Sequence, residues 1–210
     1  HKSIYDSVID AGRIITGDRS RILKAYKKAL YAQAAFEKSM KKTGDFKCSI
    51  KGTVCEKNGA KTRGTIALVG HPYNLHDEYA NMGIRKKIME QGYDLLVPEM
   101  LDENRINENA VKMPKRHFWT FGRIILGAGL SFIANKDVDG IVYVSSFGCG
   151  IDSLIEDYLE RHIRRDGSIP YMKITIDEHS GEAGFNTRIE AFIDLIKRRK
   201  RLENNLSAYG

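Results

Sequence analysis

Cysteine, proline and tryptophan are scarce in this chain, which has 3, 4 and 1 of them in 210 residues. So few cysteines, and an odd number, exclude the disulfide framework that small secreted domains use. Long apolar runs are also missing, which excludes a membrane-spanning helix of ordinary length. The first residues lead into no continuous apolar segment, so no secretory signal is predicted. We therefore expect a cytoplasmic protein without membrane contact.

Positive charge is in excess, with a formal net charge of +7. The densest basic run, 197–201, lies near the C-terminus, where it suits the negative end of a helix dipole. No recognised nucleic-acid motif and no interleaved aromatic residues accompany it, so nucleic acid is not an expected partner. The chain begins with His1 rather than Met, which predicts a fragment or a processed form.

Strand and helix patterns alternate from residue 65 onwards. Strands are predicted at 65–69, 93–97, 140–144 and 171–176. Helices are predicted at 78–91, 117–135, 150–165 and 186–202, the last with Thr187 and Glu190 in capping-box spacing. Such alternation is typical of βαβ units. We thus predict a three-layer α/β fold with an open, mainly parallel, four-stranded sheet of the Rossmann or flavodoxin type.

The residues before this pattern predict an N-terminal helical extension. A helix is expected over 20–43, capped by Ser20 and ended by Gly44. Residues 44–64, which include Cys48 and Cys55, are expected to form a loop or a weak hairpin. The predicted domains are therefore 1–64, a helix with a connecting loop, and 65–210, the α/β domain.

Polar clusters follow the predicted strands. Ligands of open parallel sheets bind outside the carboxyl ends of the strands, so these clusters should converge on one rim. The candidate binding residues on that rim are Ser146, Phe147, Gly148, Cys149, Gly150, His71, Tyr73, Asp177 and Glu178. Simpler interpretations stay open: His71 as an ordinary loop histidine, Asp177 and Glu178 as loop caps, and Cys149 as a buried thiol.

Cys149 is the strongest candidate. It lies in a Gly-rich turn between an apolar strand and an amphipathic helix, near free backbone N–H groups and the positive helix end. Both favour the thiolate, which attacks electrophiles or binds metal. Neither GxGxxG, GxxxxGK[ST] nor GxSxG occurs, so the common nucleotide fingerprints and the serine nucleophile elbow are excluded. A flavodoxin-like protein that binds flavin at this rim remains an alternative.

Three segments resemble one family: 70–74 leading to 81–84, 146–153, and 176–180 leading to 187–192. In this order they are similar to the 2-hydroxyacyl-CoA dehydratase superfamily. The closest branch contains the CoA-substrate-specific enzyme activases, which are related to the 2-hydroxyglutaryl-CoA dehydratase activator and to double-cubane iron–sulfur proteins. The resemblance covers residues from about 20 to 200. It departs from the pattern at His71, where arginine is usual.

The resemblance implies an oxygen-sensitive iron–sulfur protein of anaerobic metabolism, with a 4Fe-4S or double-cubane cluster. An ATP-hydrolysing activator of the actin-like kinase superfamily would deliver low-potential electrons, and an acyl-CoA would be the substrate. Cys149 matches a cluster ligand, but one cysteine cannot hold a cluster. The resemblance therefore implies an upstream α/β half in the same protein or in another subunit.

Two functions follow from these expectations. In the first, the chain contributes to a cluster site used in ATP-coupled electron transfer, and any lyase or reductase activity belongs to the complete protein. The chain alone would then lack the cluster. In the second, it is a non-catalytic α/β binding or assembly module that has lost the cluster.

Overall fold

The computed structural model describes residues 3–53, 62–112, 119–167 and 169–207. The chain divides into two compact units, residues 1–55 and 56–210. Within the described ranges, no helix is both long enough and apolar enough to span a membrane.

The described part of the N-terminal unit consists of helices α1 (Ile4–Arg13), α2 (Arg19–Thr43) and α3 (Phe46–Lys51). Helix α2 begins at a cap made by the side chain of Asp18, which accepts from the backbone N–H of Ser20. The predicted cap at Ser20 is therefore wrong by two residues. The helix ends, as predicted, at Gly44, whose φ of 61° satisfies the left-handed conformation common after a helix.

Helix α3 lies in the segment that was expected to be a loop or a weak hairpin. Asp45 caps it by accepting from the backbone N–H of Cys48 at 2.8 Å, and Gly52 ends it with a φ of 63°. Six residues are too few to display a helical period, which is why the sequence pattern did not indicate this helix. Cys55 and the rest of 54–61 lie outside the described residues.

The second unit contains a parallel sheet with the strand order β2-β1-β3-β4. Its strands are β1 (Gly64–Gly70), β2 (Tyr93–Leu96), β3 (Gly140–Ser146) and β4 (Tyr171–Ile176). At the carboxyl ends, Gly70 pairs with Val144, and Ser146 pairs with Ile176. The predicted open parallel sheet is confirmed.

The helices described in this unit are α4 (Pro72–His76), α5 (Ile84–Glu90), α6 (Glu103–Ala110), α7 (Thr120–Asn135), α8 (Gly150–Asp166) and α9 (Glu182–Ser207), with a 3-10 turn at Pro98–Met100. Three predictions need correction. The helix expected at 78–91 is α5, which begins only at Ile84, and the short helix α4 lies before the predicted range. Helix α6 occupies a stretch between the strand expected at 93–97 and the helix expected at 117–135, where no helix was predicted.

The third correction concerns the last helix, which begins at Glu182 and not at residue 186. Thr187 therefore lies inside α9, where its hydroxyl donates to the carbonyl oxygen of Ala183 at 3.0 Å. A threonine that bonds back along the helix in this way caps nothing. The capping-box interpretation of Thr187 and Glu190 is wrong.

Both faces of the sheet are covered. Along β1, Ile66 and Leu68 join an apolar cluster with side chains of α5 and α9, whereas Ala67 and Val69 join a second cluster with α7 and α8. Because successive residues of a strand point to opposite faces, a strand covered on both faces must be apolar throughout. This explains the continuous apolar run at 66–69 and gives the three layers that were predicted.

Candidate functional site

The strand order places a crevice between the carboxyl ends of β1 and β3. From β1 the chain crosses to β2 on one side, and from β3 it crosses to β4 on the other side. The loops after β1 and β3 therefore leave the sheet in opposite directions and open a gap between them. His71 and Tyr73 follow β1 at this gap, and residues 146–150 follow β3.

His71 is held in the crevice by its neighbours. It is the residue before α4, and Pro72 at the first helical position fixes the direction of the chain there. The imidazole stacks on the ring of Tyr73 at 5.1 Å between centroids and meets the edge of Phe121 at 5.9 Å. Its side chain is only 9% exposed, and Nε2 has no hydrogen-bond partner among the described residues.

Asp152, which was not among the predicted site residues, lies beside His71. Its side chain is 1% exposed, and Oδ1 is 3.6 Å from Nε2 of His71. The hydroxyl of Tyr143 donates to Oδ1 at 2.8 Å, and the backbone N–H of Ser146 donates to Oδ2 at 3.4 Å. These donors fix the carboxylate in one orientation towards the crevice.

Tyr143 remains a hydroxyl donor at any physiological pH. Burial, together with the negative charge of Asp152, raises the pKa of Tyr143 far above its ordinary value. The neutral phenol therefore stabilises Asp152 as a donor and adds no charge to the site.

Cys149 completes the group. It is the residue before α8, its side chain makes no capping hydrogen bond, and its thiol is free and partly exposed. Gly148 precedes it with a φ of 77°, a left-handed conformation that a residue with a side chain adopts at a cost. The sulfur of Cys149, a ring nitrogen of His71 and a carboxylate oxygen of Asp152 all lie within 4.8 Å of one another.

A polar link joins the loops on the two sides of the crevice. The hydroxyl of Ser146 donates to Oδ1 of Asn74 at 2.8 Å, and Nδ2 of Asn74 donates to the carbonyl oxygen of Val144 at 3.4 Å. Burial raises the pKa of the Tyr73 phenol, and a hydrogen bond with Ser146 partly offsets this rise. The nearby Cys149 and Asp152 raise the pKa of Tyr73 further. The predicted residues Ser146 and Tyr73 thus lie next to the three-residue group.

The remaining candidates have different surroundings. Phe147 is 74% exposed, and its backbone N–H donates to the carbonyl oxygen of Ile176 at 2.9 Å. Gly150 is the first residue of α8. A Cβ at Gly150 would meet nothing within 4 Å, so its small size is not needed for packing.

Asp177 and Glu178 lie after β4 and are not members of the three-residue group. Asp177 accepts from the backbone N–H of His179 at 2.9 Å and from the hydroxyl of Ser180 at 2.8 Å. The hydrogen bond from Ser180 is the main reason that the pKa of Asp177 lies below its ordinary value. Glu178 and His179 are exposed, 3.6 Å apart. Asp177 thus makes its hydrogen bonds, and Glu178 its charge pair with His179, within the turn after β4.

The group of Cys149, His71 and Asp152 combines a sulfur, a nitrogen and an oxygen donor. Such donors bind borderline transition metals, and a thiolate also binds the iron of a cluster. Asp152 was missed because an acidic residue in the first turn of a helix is ordinarily explained by the helix dipole. The available signal was its spacing, three residues after Cys149 on the first turn of α8.

One known family matches part of the chain. Residues 1–101 match the family model described as CoA enzyme activase uncharacterised domain (DUF2229). The match includes His71 and Tyr73 and ends before Cys149 and Asp152. No curated protein matches the chain. The family match supports a relationship between this chain and the CoA enzyme activases.

Proposed function

We propose that this chain is a domain of a CoA enzyme activase-related protein and contributes one thiolate ligand, Cys149, to an iron–sulfur cluster. The observation that carries the proposal is the free, partly exposed Cys149 at the crevice between β1 and β3, beside His71 and Asp152. The family match at residues 1–101 supports the activase relationship. A ligand for a shared cluster has to be reachable from outside its own domain, and Cys149 is.

The residues at the crevice fit one corner of a cluster rather than the whole of it. Cluster iron is held by cysteine thiolates, four in the common types. Cys149 is the one free thiol in the described part of the chain, so the other ligands must come from elsewhere. When bound, the cluster would carry a single electron at low potential. The fixed negative charge of Asp152 close to the sulfur would favour the oxidised form and keep that potential low.

The expected partners follow from this incomplete site. An α/β half from the same protein or from another subunit would supply the remaining ligands. An ATP-hydrolysing activator of the actin-like kinase superfamily would supply electrons, and an acyl-CoA would be the substrate of the completed assembly. Of these partners, the family description supports only a CoA-dependent enzyme, because it names a CoA enzyme activase.

The test is the anaerobic iron and acid-labile sulfide content after reconstitution. We expect acid-labile sulfide to bind together with iron when this chain is combined with the α/β half, and no acid-labile sulfide to bind to the chain alone. Cys149→Ala should lower the iron content of the combination, whereas His179→Ala, at the exposed rim after β4, should not. Equal iron and sulfide in wild type and Cys149→Ala would refute Cys149 as a ligand.

A second candidate function is a binding or assembly module without a cluster. It is favoured by the exposed aromatic surface around Cys149, where Tyr73, Phe121 and Phe147 are all more than half exposed. Aromatic side chains of this kind are enriched at protein interfaces. Absence of acid-labile sulfide from both reconstituted forms, with a stable complex between the two halves, would favour this module over the cluster domain.

A further inference from the structure

We propose that this chain by itself binds one divalent transition-metal ion, held by His71, Cys149 and Asp152. The proposal goes beyond the cluster function, because it needs no ligand from another domain. The three ligand atoms lie within 4.8 Å of one another. Ligand atoms around a tetrahedral zinc ion are about 3.3–3.8 Å apart, as bond lengths of about 2.0–2.3 Å require. Nε2 of His71 is already 3.6 Å from Oδ1 of Asp152.

The buried nitrogen of His71 supports the site independently of this spacing. Nε2 makes no hydrogen bond with any described residue, although the side chain is only 9% exposed. Leaving a buried polar atom unpaired is unfavourable, because the atom loses its water without gaining a protein partner. The rings of Tyr73 and Phe121 restrict the imidazole, so it is held in place with a free ligand atom. A metal ion between the three side chains would satisfy that atom.

The charge of Asp152 is a further reason to place a cation here. Its hydrogen bonds come from neutral donors, the hydroxyl of Tyr143 and the N–H of Ser146. Among the described residues, the carboxylate of Asp152 pairs with His71 and forms no ion pair with a lysine or an arginine. A buried carboxylate without a full positive charge nearby is costly. A divalent ion would compensate both this carboxylate and the thiolate of Cys149.

The donor set decides which ions fit. A thiolate, an imidazole and a carboxylate suit Zn²⁺, Co²⁺ and Fe²⁺, and disfavour Mg²⁺ and Ca²⁺, which prefer oxygen ligands alone. As the metal–sulfur bond forms, the thiol proton passes to solvent. Three protein ligands leave a fourth position for water or another ligand, as in zinc sites with an open position. Tyr143 would orient the carboxylate from behind, as second-sphere residues of metal sites do.

The experiment is an anaerobic titration of the 210-residue chain with Co²⁺ under reducing conditions, followed by absorption spectroscopy, and then competition by Zn²⁺. We expect one equivalent of Co²⁺ to bind with a sulfur-to-metal charge-transfer band, and Zn²⁺ to displace it. Cys149→Ala should abolish the band. His71→Gln should weaken binding by more than about a hundredfold, since even second-sphere changes cost 10–100-fold.

His179→Ala is the matched control, because it removes an exposed histidine at the same sheet edge. Asp152→Asn tests the third ligand with little change in shape, because the amide oxygen still accepts from Tyr143. Both should keep the circular dichroism spectrum of wild type; only Asp152→Asn should lose affinity. Absence of the charge-transfer band in folded wild type, or unchanged affinity in folded His71→Gln, would overturn the proposal. Neither result depends on whether the α/β half assembles a cluster.

Discussion

The loops that follow β3 and β4 are alike in sequence but not in structure. Both are short and contain glycine, and both hold residues that bind metals in other proteins. The loop after β3 faces the loop after β1, so that Cys149 and Asp152 meet His71 from another element. The loop after β4 leaves the edge strand of the described sheet, and Asp177 bonds within its own turn. A polar loop thus becomes a site when its strand has a neighbour whose loop opens the same crevice.

The largest expected effect comes from widening the contact between β1 and β3. A Cβ at Gly70 would clash with the backbone carbonyl oxygen of Val144, which cannot rotate away. Gly70→Ala should therefore destabilise the protein by about 3 kcal/mol. Gly181→Ala, after β4, meets nothing within 4 Å and should be close to neutral. Urea unfolding midpoints measure the difference; equal shifts in the two variants would contradict this account of the crevice.

Two buried tyrosines give the next comparison. Tyr143 on β3 donates to Asp152, whereas the hydroxyl of Tyr171 on β4 has no hydrogen-bond partner among the described residues. Burial raises the pKa of both phenols. Tyr143→Phe should cost about 2 kcal/mol of unfolding free energy, because it removes a donor to a buried carboxylate. Tyr171→Phe should leave the unfolding free energy unchanged or raise it slightly, as urea unfolding would measure. A larger loss of unfolding free energy in Tyr171→Phe than in Tyr143→Phe would contradict the role of Tyr143 as the donor that matters.

Two serines make a finer comparison. Ser146 after β3 donates across the crevice to Asn74, and Ser180 after β4 donates to Asp177 in its own turn. Ser146→Ala should cost about 1 kcal/mol, because the buried amide oxygen of Asn74 loses its donor. Ser180→Ala should change the unfolding free energy by less than about 0.5 kcal/mol. Thermal unfolding of both variants tests this, and equal losses would remove the distinction between the loops.

The smallest effect is an acid dependence at the loop after β4. The pKa of Asp177 lies below the ordinary value of 3.8, mainly because Ser180 donates to the carboxylate. A carboxyl group whose pKa is lowered in the folded state stabilises the fold at pH values above its ordinary pKa. This contribution is lost as the pH falls through the folded-state pKa. Asp177→Asn should therefore be slightly less stable than wild type at pH 7, and the difference should vanish in strong acid. Unfolding curves of wild type and Asp177→Asn, measured at several pH values between 7 and strong acid, test this. A difference in stability that grows on acidification would contradict the prediction.

The sequence alone predicted the sheet well because buried parallel strands have a plain signature. Residues 66–69 are apolar at every position, since both faces of β1 are covered. Gly44 was recognised as a helix end because glycine readily adopts the left-handed conformation. Short elements were the failures: α3 and α6 have too few turns, and too little apolar surface, to display a period.

The candidate site was predicted in part. Cys149 and His71 were selected as rim residues, and the structure places them in one group with Asp152. Asp177 and Glu178 were selected on the same grounds and lie apart from that group. That they bind a ligand stays a prediction. The sequence could not separate these cases, because each loop was judged by its composition and not by the loop that faces it.

The sequence by itself determined the four strands and the longer helices, since burial on one face or on two leaves a pattern of apolar residues along the chain. Only the tertiary structure decided the order β2-β1-β3-β4, which makes β1 and β3 neighbours. That order results from long-range packing on both faces of the sheet and leaves no periodic trace. Because of it, His71 and Cys149, far apart along the chain, lie with Asp152 in one crevice.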